Sequence, residues 1–133
     1  MINESTKDKM QILVIEDELP LMEAIKAKLE KNGFEVITAR SITFSSLLDL
    51  GQVDAIWLDH YLLGKENGLD FVKKLKAKGS RLNKTPIFVV SNTASPAEIK
   101  SYKRLGITKY YVKAEHRIAA IVDEIKLFLD RSK

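Results

Sequence analysis

Five short, largely apolar runs, each ending on a polar or charged residue and each separated from the next by a helix-length segment, constrain what this chain can fold into. They are Gln11 to Ile15, Phe34 to Thr38, Ala55 to Leu58, Ile87 to Val90 and Lys109 to Val112. None has a helical period and each is too short for a helix, so they read as strands. Ala55-Ile56-Trp57-Leu58 is apolar throughout, the pattern of a strand covered on both faces of a sheet.

The intervening segments carry helical signals. Pro20 suits a first helical turn, and Leu21, Met22, Ile25 and Leu29 form one stripe before Gly33 stops the helix. Phe44, Leu47 and Leu48 mark a short second helix closed by Gly51. After Asp59 comes a loop with Gly64 and Gly68, then a helix with Leu69, Val72 and Leu75 on one face, ended by Gly79. Ser95-Pro96-Ala97-Glu98 predicts a capping box, with a serine cap, proline at the first helical position and glutamate three residues after the cap. The helix it opens has a thin apolar face, Ile99, Tyr102 and Leu105, and should be the most loosely held. Ile118, Ile121, Val122, Ile125, Phe128 and Leu129 predict a last amphipathic helix whose apolar residues are core.

Strands alternating with helices imply a doubly wound α/β fold. Each parallel return needs a crossover, so five strands and five helices give a five-stranded parallel sheet with helices on both faces. At 133 residues and 45% hydrophobic content, one globular domain is expected, residues 10–133, behind a polar tail over residues 1–9. The absence of cysteine excludes disulfides and thiolate metal sites. With no signal-like segment and no apolar run near the roughly 20 residues that span a bilayer, a soluble cytoplasmic protein without membrane attachment is expected.

The net charge of +4 is unevenly spread. Residues 71–117 hold 12 Lys and Arg against 2 Asp and Glu, and six of those cations lie between Lys73 and Lys84 with no acid among them. This could attract an acidic partner or nucleic acid, but a solvated helix face is the plainer reading. Lys100, Lys103 and Arg104 favour an acidic protein partner; no recognition motif accompanies the charge, so nucleic-acid binding is not expected.

Function is legible where the strands end. In an open parallel sheet, ligands bind beyond the carboxyl ends of the strands. There strand one delivers Glu16 and Asp17, strand three Asp59, strand four Ser91 and strand five Lys113. Crowded carboxylates resist ionising and call for a cation, and oxygen ligands with room for water suit Mg²⁺. The set suits phosphoryl transfer onto Asp59, with Lys113 and Ser91 taking phosphoryl oxygens.

In their order and over nearly the whole chain, Glu16-Asp17, Asp59, Ser91 and Lys113 resemble the receiver domain of two-component response regulators, with the chemotaxis-type single-domain receivers as the nearest type. The resemblance implies a flavodoxin-like sheet in the order 2-1-3-4-5. It implies a signalling domain rather than an enzyme, whose chemistry is its own aspartyl phosphorylation and dephosphorylation. The phosphoryl group would come to Asp59 from a histidine kinase or histidine phosphotransfer protein. Mg²⁺ would be held by Asp17, Asp59 and the backbone carbonyl of Tyr61, with Glu16 acting through water. Ser91 and Tyr110 would be the switch pair, altering a face made by the helix after Ser95, the fifth strand and the last helix, toward a downstream protein or a second copy in a homodimer. With the fold complete by Lys133, a stand-alone regulator, a phosphorelay shuttle or a fragment of a longer protein are all compatible.

Three positions depart from the family pattern. Glu16 replaces the usual aspartate, the loop from Asp59 to Gly68 is one residue longer with Leu63 where proline is typical, and Lys113 precedes Ala114 rather than a cis proline. A cis bond before alanine costs about 2.5 to 4 kcal/mol, leaving a trans bond or retained strain as the alternatives. A pseudo-receiver acting as a phosphorylation-independent interaction module is therefore the competing reading. A haloacid dehalogenase-type phosphohydrolase would want a second aspartate where Tyr61 stands, and a nucleotide-binding module would want a Gly-rich first loop in place of Glu16-Asp17-Glu18-Leu19. Of the remaining residues, Glu18 reads as a helix-start charge, and His60 as an ordinary exposed loop histidine rather than a general base. Tyr110 and Tyr111 must face opposite sides of the sheet. Tyr61 and Thr93 would flank the phosphate without an acid or amide to orient water, which predicts slow self-dephosphorylation.

Overall fold

Successive side chains along each strand point to opposite faces of the sheet, and helices cover each face. The computed structural model describes residues 9–41, 53–61, 67–77, 82–92 and 95–131. Within these, β1 (Gln11–Ile15), α1 (Leu19–Lys31), β2 (Glu35–Ala39), β3 (Ala55–Leu58), α2 (Gly68–Leu75), β4 (Ile87–Ser91), α3 (Pro96–Arg104), β5 (Lys109–Val112), a 3-10 turn (Lys113–Glu115) and α4 (Ile118–Arg131) follow in order. The strands form one sheet in the order β2-β1-β3-β4-β5, and every pair is parallel. This is the expected doubly wound architecture. The second helix predicted around Phe44, Leu47 and Leu48 lies outside the described residues, as do Gly51, Leu63, Gly64, Gly79 and Thr93.

Two cores result. Ile12, Val14, Trp57, Phe88, Val90 and Tyr111 face Met22, Ile25 and Leu29 of α1 and Ile121, Val122, Ile125 and Leu129 of α4. Leu13, Ile15, Ile56, Leu58, Ile87 and Val89 face Phe71, Val72 and Leu75 of α2 and Tyr102 of α3. Truncating one of these fully buried residues, Leu58 for example, to alanine would cost about 2 to 5 kcal/mol. The middle strand β3, which leads to Asp59, is buried at every position.

Several local expectations shift. The second strand starts one residue later than Phe34, because Phe34 drops into the α1 core while the ladder begins at Glu35, paired with Gln11. In α2, Phe71 is fully buried and Leu69 only partly so. Phe128 is partly exposed and stacks edge-on against Phe88 at 5.6 Å rather than entering the core. The reciprocal capping box forms on α2, where the Asp70 amide donates to Asn67 Oδ1 at 3.0 Å and the Asn67 amide to Asp70 Oδ2 at 3.3 Å. On α3 only half of the predicted box forms: the Glu98 amide donates to Ser95 Oγ at 3.4 Å, while the Glu98 carboxylate points elsewhere. Tyr102 is the one buried residue of α3, as its thin stripe suggested.

Candidate functional site

The site lies where β1, β3 and β5 end. Sheet pairing runs just past the strands on this side: the Asp59 amide donates to Ile15 O at 3.0 Å and the Glu16 amide to Ala39 O at 3.0 Å. These bonds set the two carboxylates by backbone, not by side-chain chance. Carboxylate oxygens of Glu16, Asp17 and Asp59 all come within 4.8 Å of one another. Lys113 Nζ reaches in from the far side, 3.0 Å from Glu16 Oε1 and 3.6 Å from Asp59 Oδ2. These four side chains, expected from the strand ends, lie together in the structure.

Glu16 is fully buried, and both its oxygens are engaged. Oε1 accepts from Lys113, and Oε2 accepts the Glu18 amide at 3.1 Å, satisfying a backbone donor at the start of α1, where Glu18 itself gives no side-chain cap. The methylene that distinguishes glutamate from aspartate is thus absorbed by a direct bond to the lysine. Asp59, 4% exposed, has its carboxyl pushed up to about 7. Burial is the main cause and the Glu16 charge the next; Lys113 and the Tyr61 amide, 3.4 Å from Oδ1, pull the other way. Lys113 opens the 3-10 turn after β5, and the Lys113–Ala114 bond is trans, since the described residues contain no cis peptide bond. The lysine reaches both carboxylates without the strained alternative.

Ser91 ends β4, is fully buried, and hydrogen-bonds the phenol of Tyr110. Both belong to the α2–α3 side of the sheet, whereas Tyr111 turns to the α1–α4 side and donates to Glu124 Oε1 at 2.9 Å. Burial, with the hydrogen bond to Glu98 next, drives the Tyr110 hydroxyl up from its ordinary pKa. Tyr61 is 57% exposed beside Asp59. In the basic run, Lys76 is partly buried, its pKa lowered by burial, and donates to Asn83 O at 3.2 Å, so it belongs to the structure of the α2 terminus rather than to a binding patch.

His60 corrects an expectation. It is 7% exposed rather than solvated, because Tyr102 and Glu98 of α3 close over it. Two further residues had no recognisable signal. Arg40, just after β2, donates from Nε and a terminal nitrogen to the Asp17 carbonyl at 3.2 and 3.1 Å, pinning the acidic turn. Glu98, read as a capping residue, is a half-buried acceptor for His60 and Tyr110.

Residues 12–126 match the response regulator receiver domain. A chemotaxis protein of Helicobacter pylori, CheY1, is 26% identical over 106 residues, covering 78% of this chain and 85% of its own. Among solved structures, a two-component response regulator from Clostridium difficile superposes with a TM-score of 0.82 at 19% identity, over 94% of this chain and 99% of that one. A CheY-like receiver domain protein from Methanospirillum hungatei gives 0.81 at 20% identity, over 93% and 96%. With a family match across most of its length, this chain belongs to the response regulator receiver domains of two-component signalling.

Proposed function

We propose that Asp59 accepts a phosphoryl group from a phosphohistidine on a histidine kinase or phosphotransfer protein. The observation that carries this is the buried Asp59 carboxylate at the end of β3, flanked by Glu16 and faced by Lys113 at 3.6 Å. Asp59 attacks phosphorus, an O–P bond forms as the N–P bond breaks, and the electron pair leaves with the imidazole of the donor, which takes a proton from solvent. Lys113 offers its ammonium to a phosphoryl oxygen. Ser91 would exchange its bond to Tyr110 for a phosphoryl oxygen, and that exchange alters the face of α3, β5 and α4.

The donor set fits a hard cation: three converging carboxylates, no nitrogen or sulfur ligand, and partial exposure at Asp17. Asp17, Asp59 and the Tyr61 carbonyl would hold Mg²⁺, with Glu16 through water. When bound, it supplies positive charge that neutralises the carboxylates and the incoming phosphoryl oxygens. The downstream partner is read as acidic, because Pro96, Ile99, Lys100, Lys103 and Arg104 line one concave basic surface on α3.

Intact mass after incubation with Mg²⁺ and acetyl phosphate tests the reading, with Asp59→Asn and metal-free samples alongside. One added phosphoryl group, lost in both controls, is expected. The pseudo-receiver alternative draws on one observation, that Lys113 sits closer to Glu16 than to Asp59. No mass increase with either acetyl phosphate or a cognate kinase would favour it.

A further inference from the structure

His60 does something that neither the phosphoryl chemistry nor the sheet requires. Its two ring nitrogens are taken by one helix: Nδ1 lies 2.7 Å from the Tyr102 hydroxyl and Nε2 3.2 Å from Glu98 Oε1. Glu98 and Tyr102 are four residues apart and so share one face of α3, where a single ring can bridge them. Glu98 Oε2 accepts the Tyr110 hydroxyl, and Tyr110 is bonded to Ser91. With hydrogen on Nε2, each donor has an acceptor: Tyr102 gives to His60, His60 and Tyr110 give to Glu98, and Ser91 gives to Tyr110. His60, Tyr102 and Ser91 are buried and Glu98 and Tyr110 partly so; a set satisfied in this way fixes one geometry, and losing a member leaves the others unpaired.

The backbone is shaped around the same contact. A Cβ on Gly68 would collide with Tyr102 Oη and lie 3.1 Å from His60 Cα, so a residue with a side chain there would drive the phenol off the imidazole. The Gly68 amide also donates to His60 O at 2.9 Å, holding the residue from behind. Since Tyr102 is the one buried residue of α3, little else on that helix competes with this fastening.

We infer that His60 is a positioning residue that clasps α3 to the phosphoacceptor strand through Glu98 and Tyr102, so that a change at Asp59 reaches α3 through the adjacent residue as well as through Ser91 and Tyr110. The clasp stands on the geometry alone; its signalling role rests on the proposed phosphorylation of Asp59. Adjacent Cα atoms are a fixed 3.8 Å apart across a trans peptide, so a shift of the Asp59 backbone moves the imidazole with it.

Hydrogen exchange read by mass spectrometry on the whole chain tests both parts. His60→Phe keeps a ring and removes both nitrogens, and Tyr102→Phe serves as a second variant should the first fold poorly. In the unphosphorylated protein each should speed exchange of the α3 amides, by about tenfold for His60→Phe, and leave α1 and α4 unchanged. Unchanged α3 protection, or an equal rise in all helices, overturns the clasp. With acetyl phosphate and Mg²⁺, His60→Phe should still gain one phosphoryl group by mass but lose most of the α3 exchange change that phosphorylation produces in the native sequence. A full-sized change in α3 overturns the coupling. If the native chain takes up no phosphoryl group, the functional reading falls and the coupling with it, while the resting exchange still decides the clasp.

Discussion

Replacing Asp59 with asparagine should stabilise the protein, and by an amount that grows with pH. The native carboxyl is raised from 3.8 to about 7 because it is buried and sits beside Glu16. Between those two values the folded state holds a proton that the unfolded state has released, so stability falls as pH rises through the window. A shift of about three units at 1.36 kcal/mol each sets a ceiling of about 4 kcal/mol above pH 8, and the same linkage leaves about 1 kcal/mol at pH 4.5. Local relaxation and water entry reduce the cost of a buried charge, so about half of each figure is expected. For a chain of this size, 2 kcal/mol corresponds to roughly 5 to 10 °C in Tm. Thermal unfolding by circular dichroism in chelator at pH 4.5, 6.5 and 8.5 measures it. The asparagine variant should gain most at pH 8.5, and added Mg²⁺ should then stabilise the native chain more than the variant. A gain independent of pH, or a variant less stable at pH 8.5, would show that Asp59 is not held in a crowded, desolvated site.

Lys113→Met leaves the fully buried Glu16 without its cation and should cost about 3 kcal/mol by urea denaturation, with phosphoryl uptake lost. Gly68→Ala should cost about 1 to 3 kcal/mol, since its Cβ would collide with Tyr102 Oη, and adding Tyr102→Phe should recover part of that loss; a purely additive pair would refute the collision. Tyr61→Asn should speed decay of the phosphorylated form severalfold, because the exposed ring beside Asp59 is replaced by an amide able to orient water. A lifetime unchanged by that substitution would remove Tyr61 as the cause of a long-lived signal.

Much of the site could be read from the order of the residues. The apolar runs that became β1, β3 and β5 match the observed spans, and once they are parallel strands of one sheet, whatever follows each run must share one edge. That is why Glu16, Asp17, Asp59 and Lys113 could be assigned together while 97 residues separate the lysine from Glu16 in sequence. The Tyr110–Tyr111 division followed for the same reason, since a strand must send neighbours to opposite faces.

What escaped the sequence depends on a second element arriving overhead. Nothing around His60 signals burial, because the closing groups, Glu98 and Tyr102, belong to a helix about 40 positions later whose placement is set by packing on α2 and β5. Glu98 has the spacing of a capping residue, and local sequence favours that role, yet the imidazole and the Tyr110 hydroxyl together offer its carboxylate better donors than one backbone amide. Arg40 reads as a surface cation until the β2 end is laid beside the Asp17 carbonyl. The trans bond at Lys113–Ala114 was likewise undecidable from composition, because it depends on whether the lysine reaches the carboxylates without a cis turn, and here it does. Sequence by itself determined the strands, their parallel sense and which residues meet at the sheet edge, because periodicity and crossover geometry are local rules, while the strand order came from the family resemblance. Only the tertiary structure decided who shares a hydrogen with whom, because that depends on side chains brought together from distant elements.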